Sequence, residues 1–192
     1  SPDGHRLHVA VRSAPYPLSS FRIDPTRGEL SLLSTVPLPG PMAYIATDRT
    51  GRVLLGASYL GAKLSVNAIG RDGEVEGPAR QILSTPPKAH SILADLTNRW
   101  VFATSLEGDV VLQFRLDARQ GTLAPNPQPF VRTRPGSGPR HLLLHPNGRF
   151  VYVNNELDAS VTAFALDAER GTLAEIQTIA TLPQQATLAD AA

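Results

Sequence analysis

Not one cysteine occurs among the 192 residues, which removes disulfide frameworks, thiolate nucleophiles and cysteine-ligated zinc together. Any chemistry must rest on histidine, carboxylates, hydroxyls and arginine. Charge of neither sign dominates: 18 Lys+Arg face 17 Asp+Glu, a formal net charge of +1. No charge run stands out, so the chain lacks the basic footprint of a nucleic-acid binder or of a protein held on an anionic membrane. No stretch reaches the roughly 18 consecutive apolar residues of a membrane span, and no basic-then-apolar leader opens the sequence. A cytoplasmic location is the resulting expectation. What the chain does have is Gly and Pro, 15 and 17 residues, spread along its whole length as recurring turns require. Its length suffices for one sizeable core.

Those turns repeat. "SPDGHRLHVAVR", "TDRTGRVLLGAS", "LADLTNRWVFATS" and "LHPNGRFVYVNN" each place a polar turn before an apolar run, and their turn residues Gly4, Gly51, Asn98 and Gly148 lie 47, 47 and 50 positions apart. A second series, "FRIDPTRGELSLL", "NAIGRDGEVEGP", "FRLDARQGTLAPN" and "FALDAERGTLAEI", carries Gly28, Gly73, Gly121 and Gly171 at separations of 45, 48 and 50. Two independent anchors thus keep a period near 48, which suits β-propeller blades and exceeds the roughly 33–34 residues of short helical repeats. Within a unit the runs are β-branched and aromatic, with a D-x-x-x-G-x-L hairpin turn before the last strand. Helical periodicity is scarce; "DARQG" and "DAERG" have room for one helical turn before Gly ends it.

The expected fold is therefore all-β, a propeller of four-stranded antiparallel blades. The last unit sets the template: strand A at 140–144, B at 149–155, C at 160–166 and D at 173–182. Repeats then run over about 1–38, 39–86, 87–135 and 136–183, with a tail at 184–192. The first repeat lacks strand A, leaving about three and three-quarter blades. A propeller closes so that no sheet edge stays open, so the sequence is expected to be part of a longer, seven-bladed protein, with self-association through open blade edges when alone. Closure of a four-bladed ring by the Ala-rich tail is the lesser alternative.

In a propeller the innermost strand of each blade lines the central channel, so polar residues at the ends of strand A and in adjoining loops converge there. His90 lies eight positions before Asn98 and Arg140 eight before Gly148, making them register equivalents, while Glu156 closes strand B of the last unit. Each has a plain alternative: a hydrogen-bonded structural histidine, an ion pair between blades, a turn cap. Alternation along a strand places His141 opposite to Arg140, away from the channel wall. "PGSGPR" has the outline of an anion-binding nest, with a plain loop as the simpler reading. His141 and His145 sit about 13 Å apart on a strand at roughly 3.3 Å per residue, too far to share a metal. "GASYLG" misses the serine-hydrolase elbow by one residue. "Asn154-Asn155-Glu156" offers oxygen ligands for calcium, on one short segment only. Neither metal nor cofactor is expected.

"AHSI", "GPRHLLLHPNGRFVYVNNEL" and the following "SVTAFALD-x-x-x-GTL" resemble the seven-bladed propeller lactonase family that contains bacterial 6-phosphogluconolactonase and 3-carboxy-cis,cis-muconate cyclase. The resemblance spans nearly the whole sequence. It implies a channel lined by His, Arg and Glu, matched here by His90, Arg140 and Glu156; a further Arg of the family pattern has no counterpart in this sequence. His90 and Glu156 are then the expected catalytic pair, either one as base with the other protonating the leaving alkoxide, and Arg140 and His141 lie on the substrate side. The implied substrate is a small phosphorylated or carboxylated lactone. Hydrolysis of 6-phosphoglucono-δ-lactone, in the pentose phosphate pathway, is the expected activity. A lactonising cyclase and a non-catalytic interaction scaffold are the alternatives.

Overall fold

The structure, a computed structural model, describes residues 1–183; the expected tail at 184–192 lies outside the described residues. Among the described residues fifteen strands form four antiparallel sheets, each a meander in chain order. The first holds three strands, β1 (Arg6–Ala10), β2 (Pro17–Ile23) and β3 (Leu30–Pro37). The second runs β4 (Tyr44–Thr47), β5 (Val53–Ser58), β6 (Lys63–Ala68) and β7 (Gln81–Ser84). The third runs β8 (Ala89–Ala94), β9 (Trp100–Ser105), β10 (Val110–Asp117) and β11 (Thr122–Arg132). The fourth runs β12 (Pro139–Leu144), β13 (Phe150–Asn155), β14 (Ser160–Asp167) and β15 (Thr172–Ala180). The first sheet lacks the inner strand, as the repeat predicts. "DARQG" and "DAERG" form turns rather than helices: Asp117 and Asp167 each accept two backbone N–H groups, and Gly121 and Gly171 donate back to the Asp carbonyls.

The sheets stack face to face through apolar side chains. Leu18, Leu38, Met42, Leu54 and Val75 join the first two. Val53, Leu55, Leu64 and Val66 meet Ile92, Val101 and Leu112 between the second and third. Phe102 and Val111 meet Leu142, Val151, Val153 and Phe164 between the third and fourth. Sandwiching explains why all six residues of β5 are buried, a continuous run instead of the alternation of a half-wet strand. The outer faces behave differently: Leu32, Leu143, Ile176 and Ile179 are more than half exposed.

The turns that set the period also tie neighbours together. Asp48 accepts the Arg52 and Val53 amides at 2.8 and 2.9 Å, closing its own turn, and the side-chain amide of Asn98 from the next blade at 2.8 Å. Burial alone would raise its pKa; the hydrogen bonds from Thr50, Asn98 and the two amides prevail and hold it below the ordinary carboxylate value. Asp95 repeats the same turn, accepting from Arg99 and Trp100. Trp100 then donates its indole N–H to Ala168 across the next interface at 2.9 Å. Gly171 sits against that ring: an added Cβ would collide with Trp100 Cδ2, at a φ of +67°.

Candidate active site at the start of the inner strands

β4, β8 and β12 are the inner strands, and each touches the next. His90 is the second residue of β8, Arg140 the second of β12, and Glu156 follows the end of β13. The structure brings all three together. Arg140 Nε lies 2.6 Å from Glu156 Oε2 in an ion pair and donates its N–H to His90 Nε2 at 3.1 Å. His90 is buried, at 8% exposure, whereas the Arg140 and Glu156 side chains are 41% and 44% exposed. A buried imidazole thus backs an ion pair that stays open to ligand.

His141 is in the cluster as well, which corrects the alternation argument. Its ring packs edge-on against His90 with centroids 4.7 Å apart, and lies 5.8 Å from Tyr44. A β-bulge is the reason: Pro139 pairs with Asn155 and His141 with Asn154, so Arg140 is an extra residue and the alternation resets. The bulge is held by Asn154, whose side-chain oxygen accepts the His141 N–H at 2.9 Å. β8 shows the same device, with an extra residue between Ala89 and Ile92 and the Ser91 N–H taken by Thr104 Oγ1 at 3.0 Å. Thr104, fully buried, also donates to the Arg140 carbonyl at 2.5 Å and so links the two bulges.

Electrostatics follow from this packing. Burial pulls the His90 imidazole from 6.5 down to about 4; Arg140 and His141 push the same way and Glu156 opposes them. His141 is also lowered, again by burial first and Arg140 second, against Glu156. Both rings are neutral at pH 7. A neutral His90 accepts from Arg140 at Nε2, which places its own proton on Nδ1, a buried atom with no partner among the described residues. The Nε2 lone pair is therefore committed, while the half-exposed Glu156 has a second oxygen outside the ion pair.

Tyr59 is a neighbour that sequence reasoning missed. It stands eight residues past Gly51, as Glu156 stands eight past Gly148, and its ring meets His90 edge-on at 5.7 Å. Subtracting the same turn anchors would have found it.

Other sequence candidates do different work. The "PGSGPR" nest holds the chain's own carboxylate, with Gly136 N–H and Gly138 N–H donating to Asp109 at 2.7 and 3.0 Å. Ser58 Oγ donates to the Pro41 carbonyl at 2.7 Å and accepts from Gly61 N–H, so it braces a turn. Asn155 donates to Ser160 and Thr162 within its own sheet. Among the described residues no three His, Asp or Glu side chains gather as metal ligands, and no helix is long and apolar enough to cross a membrane.

Stacked antiparallel sheets define part of a β-propeller, with His90, Arg140 and Glu156 gathered at one end of its inner strands. The chain belongs to the seven-bladed β-propeller lactonase family: residues 1–192 match the family described as "Lactonase, 7-bladed beta-propeller". It is 41% identical to the 6-phosphogluconolactonase of Pectobacterium carotovorum over 183 residues, covering 95% of this chain and 54% of that protein. With the 6-phosphogluconolactonase of Serratia proteamaculans the identity is 40% over 184 residues, with 95% and 54% covered. The chain spans about half the length of these curated relatives. Among solved structures, the periplasmic gluconolactonase of Pseudomonas aeruginosa superposes with a TM-score of 0.89 at 28% identity, over 97% of this chain and 57% of that one.

Proposed function

We propose that the complete protein hydrolyses 6-phosphoglucono-δ-lactone to 6-phosphogluconate, with Arg140, Glu156 and His90 as the working cluster. The observation that carries the reading is Arg140, which ion-pairs with an exposed carboxylate and donates its Nε–H to a neutral, buried histidine. Opening a lactone requires removal of a proton from water, stabilisation of an oxyanion and protonation of the departing alkoxide. Glu156 takes the proton as the water oxygen bonds to the lactone carbonyl carbon, and the terminal nitrogens of Arg140 hold the developing oxyanion. Collapse breaks the bond to the ring oxygen, which receives the proton back from Glu156. His90 acts as a positioning residue that fixes Arg140. The relatives named 6-phosphogluconolactonase support this substrate.

The proposal carries the four repeats as blades divided near 38, 86 and 135. It includes a cytoplasmic location, which fractionation checks against the neighbour named periplasmic. It also holds that the 192-residue chain alone turns over poorly and self-associates through its open blade edges; size-exclusion chromatography reads this directly.

The test is hydrolysis of freshly generated 6-phosphoglucono-δ-lactone by the complete protein, with spontaneous opening subtracted in the same buffer. Turnover that collapses in Glu156→Gln and falls in His90→Ala is expected. No turnover above background would overturn the reading, and a carboxymuconolactone in parallel separates the cyclase alternative.

A further inference from the structure

Lys88 holds φ +61°, a left-handed conformation that a Cβ-bearing residue disfavours. Counted ten residues back from the turn anchors, Lys88 corresponds to Gly138, which adopts φ +68°. Both positions do the same backbone work: the Lys88 carbonyl accepts the Leu106 N–H at 3.0 Å, and the Gly138 carbonyl accepts the Glu156 N–H at 2.8 Å. The backbone favours glycine there, yet one blade places a lysine at the rim of the site.

The side chain runs toward the cluster. Lys88 Nζ lies 5.7 Å from the centroid of the Tyr59 ring, the ring whose edge meets His90. Its nearest carboxylate is Glu107, at 3.9 Å, in a pair whose side chains are 38% and 58% exposed. That contact is loose and screened by water. Arg140, by contrast, is already paired with Glu156 at 2.6 Å. Lys88 is thus the cation at this end of the site with the weaker hold on an internal anion. A compact ammonium with three donors suits a tetrahedral phosphate, and the aromatic face steadies its stem.

Resting on the lactonase reading, we propose that Lys88 is the specificity-determining residue that receives the phosphate of a phosphorylated lactone. The phosphate of such a substrate hangs from the carbon beside the one bearing the ring oxygen, apart from the carbonyl that Arg140 and Glu156 engage. Phosphate preference and lactone opening are then assigned to different side chains.

Lys88→Gly tests this without a folding penalty, since glycine is the residue the backbone conformation favours. In the complete protein, kcat/KM for 6-phosphoglucono-δ-lactone is expected to fall about 10- to 100-fold, through KM, as befits loss of a charge-assisted contact. Turnover of glucono-δ-lactone is held, the melting temperature does not drop, and Lys88→Arg recovers most of the loss. An equal fall on both lactones, or no change on either, overturns the inference. Calorimetry with 6-phosphogluconate and gluconate separates it from the lactonase reading. Absence of turnover in the wild type strikes that reading alone, whereas equal binding of the two acids, or an affinity ratio unmoved by Lys88→Gly, strikes the role of Lys88.

Discussion

β4 and β12 are the same strand of the repeat, yet β4 pairs regularly with β5 while β12 breaks register against β13. The residue six past the turn anchor accounts for the difference. In the second sheet it is Ala57, with no acceptor in its side chain; in the third and fourth it is Thr104 and Asn154, and each takes a backbone N–H from the bulged strand. One polar side chain on the second strand thus lets the first present Arg140 and His141 to the same neighbour, His90. The repeat supplies the frame, and departures from it at these positions supply the cluster.

The largest expected effect comes from removing the charge that this arrangement holds in place. Glu156→Gln lowers kcat of the complete protein by about 10²–10⁴-fold, with the melting temperature little changed because the side chain is 44% exposed; single-substrate kinetics and a thermal scan check both halves. Next is the link between the bulges. Thr104→Val keeps the shape and removes the hydroxyl, stranding the buried Ser91 N–H and releasing the Arg140 carbonyl. Unfolding free energy falls by about 1–3 kcal/mol, and turnover falls about 10- to 100-fold as the cluster loosens. Urea titration and kinetics on one preparation read the two effects together. The equivalent Ala57→Val in the second sheet has no hydrogen bond to lose and spares turnover.

Much of this frame is legible in the sequence. Asp-x-Thr-Gly and Asp-x-Thr-Asn turns recur because Asp48 and Asp95 each accept the amides that close them, so the period and strands follow from local chemistry. His90 and Arg140 are legible as equal offsets from those turns and Glu156 as the end of strand B, and the family resemblance is what groups the three. The side to which His141 points is not, because a bulge depends on which residue faces it across the sheet, and strict alternation along one strand carries no such information. The Asp109 carboxylate in the "PGSGPR" nest is hidden likewise, since it comes from another part of the repeat.

A smaller effect is the pH response of His90. Its pKa falls from 6.5 unfolded to about 4 folded, so above 6.5 both states are neutral and its stability contribution is complete. Between 6.5 and about 4 the unfolded chain binds the proton and the folded chain does not, and roughly 3 kcal/mol is lost as pH falls. His90→Gln flattens the slope of stability against pH over that window without abolishing it, since His8, which burial also holds down to about 4, and His141, also lowered by burial, act in the same direction. The smallest effect is expected far from the cluster, at the exposed Arg27–Glu29 pair. Arg27→Ala changes stability by less than about 0.5 kcal/mol and leaves turnover alone.

The central claim is that Arg140 and Glu156 act as one unit on the lactone, and a double-mutant cycle tests it most directly. Turnover of 6-phosphoglucono-δ-lactone is measured for the complete protein, for Arg140→Met, for Glu156→Gln and for the double variant. The account predicts a double variant about as slow as the slower single one, since either change dismantles the shared pair. Losses that multiply would show two independent residues and contradict it.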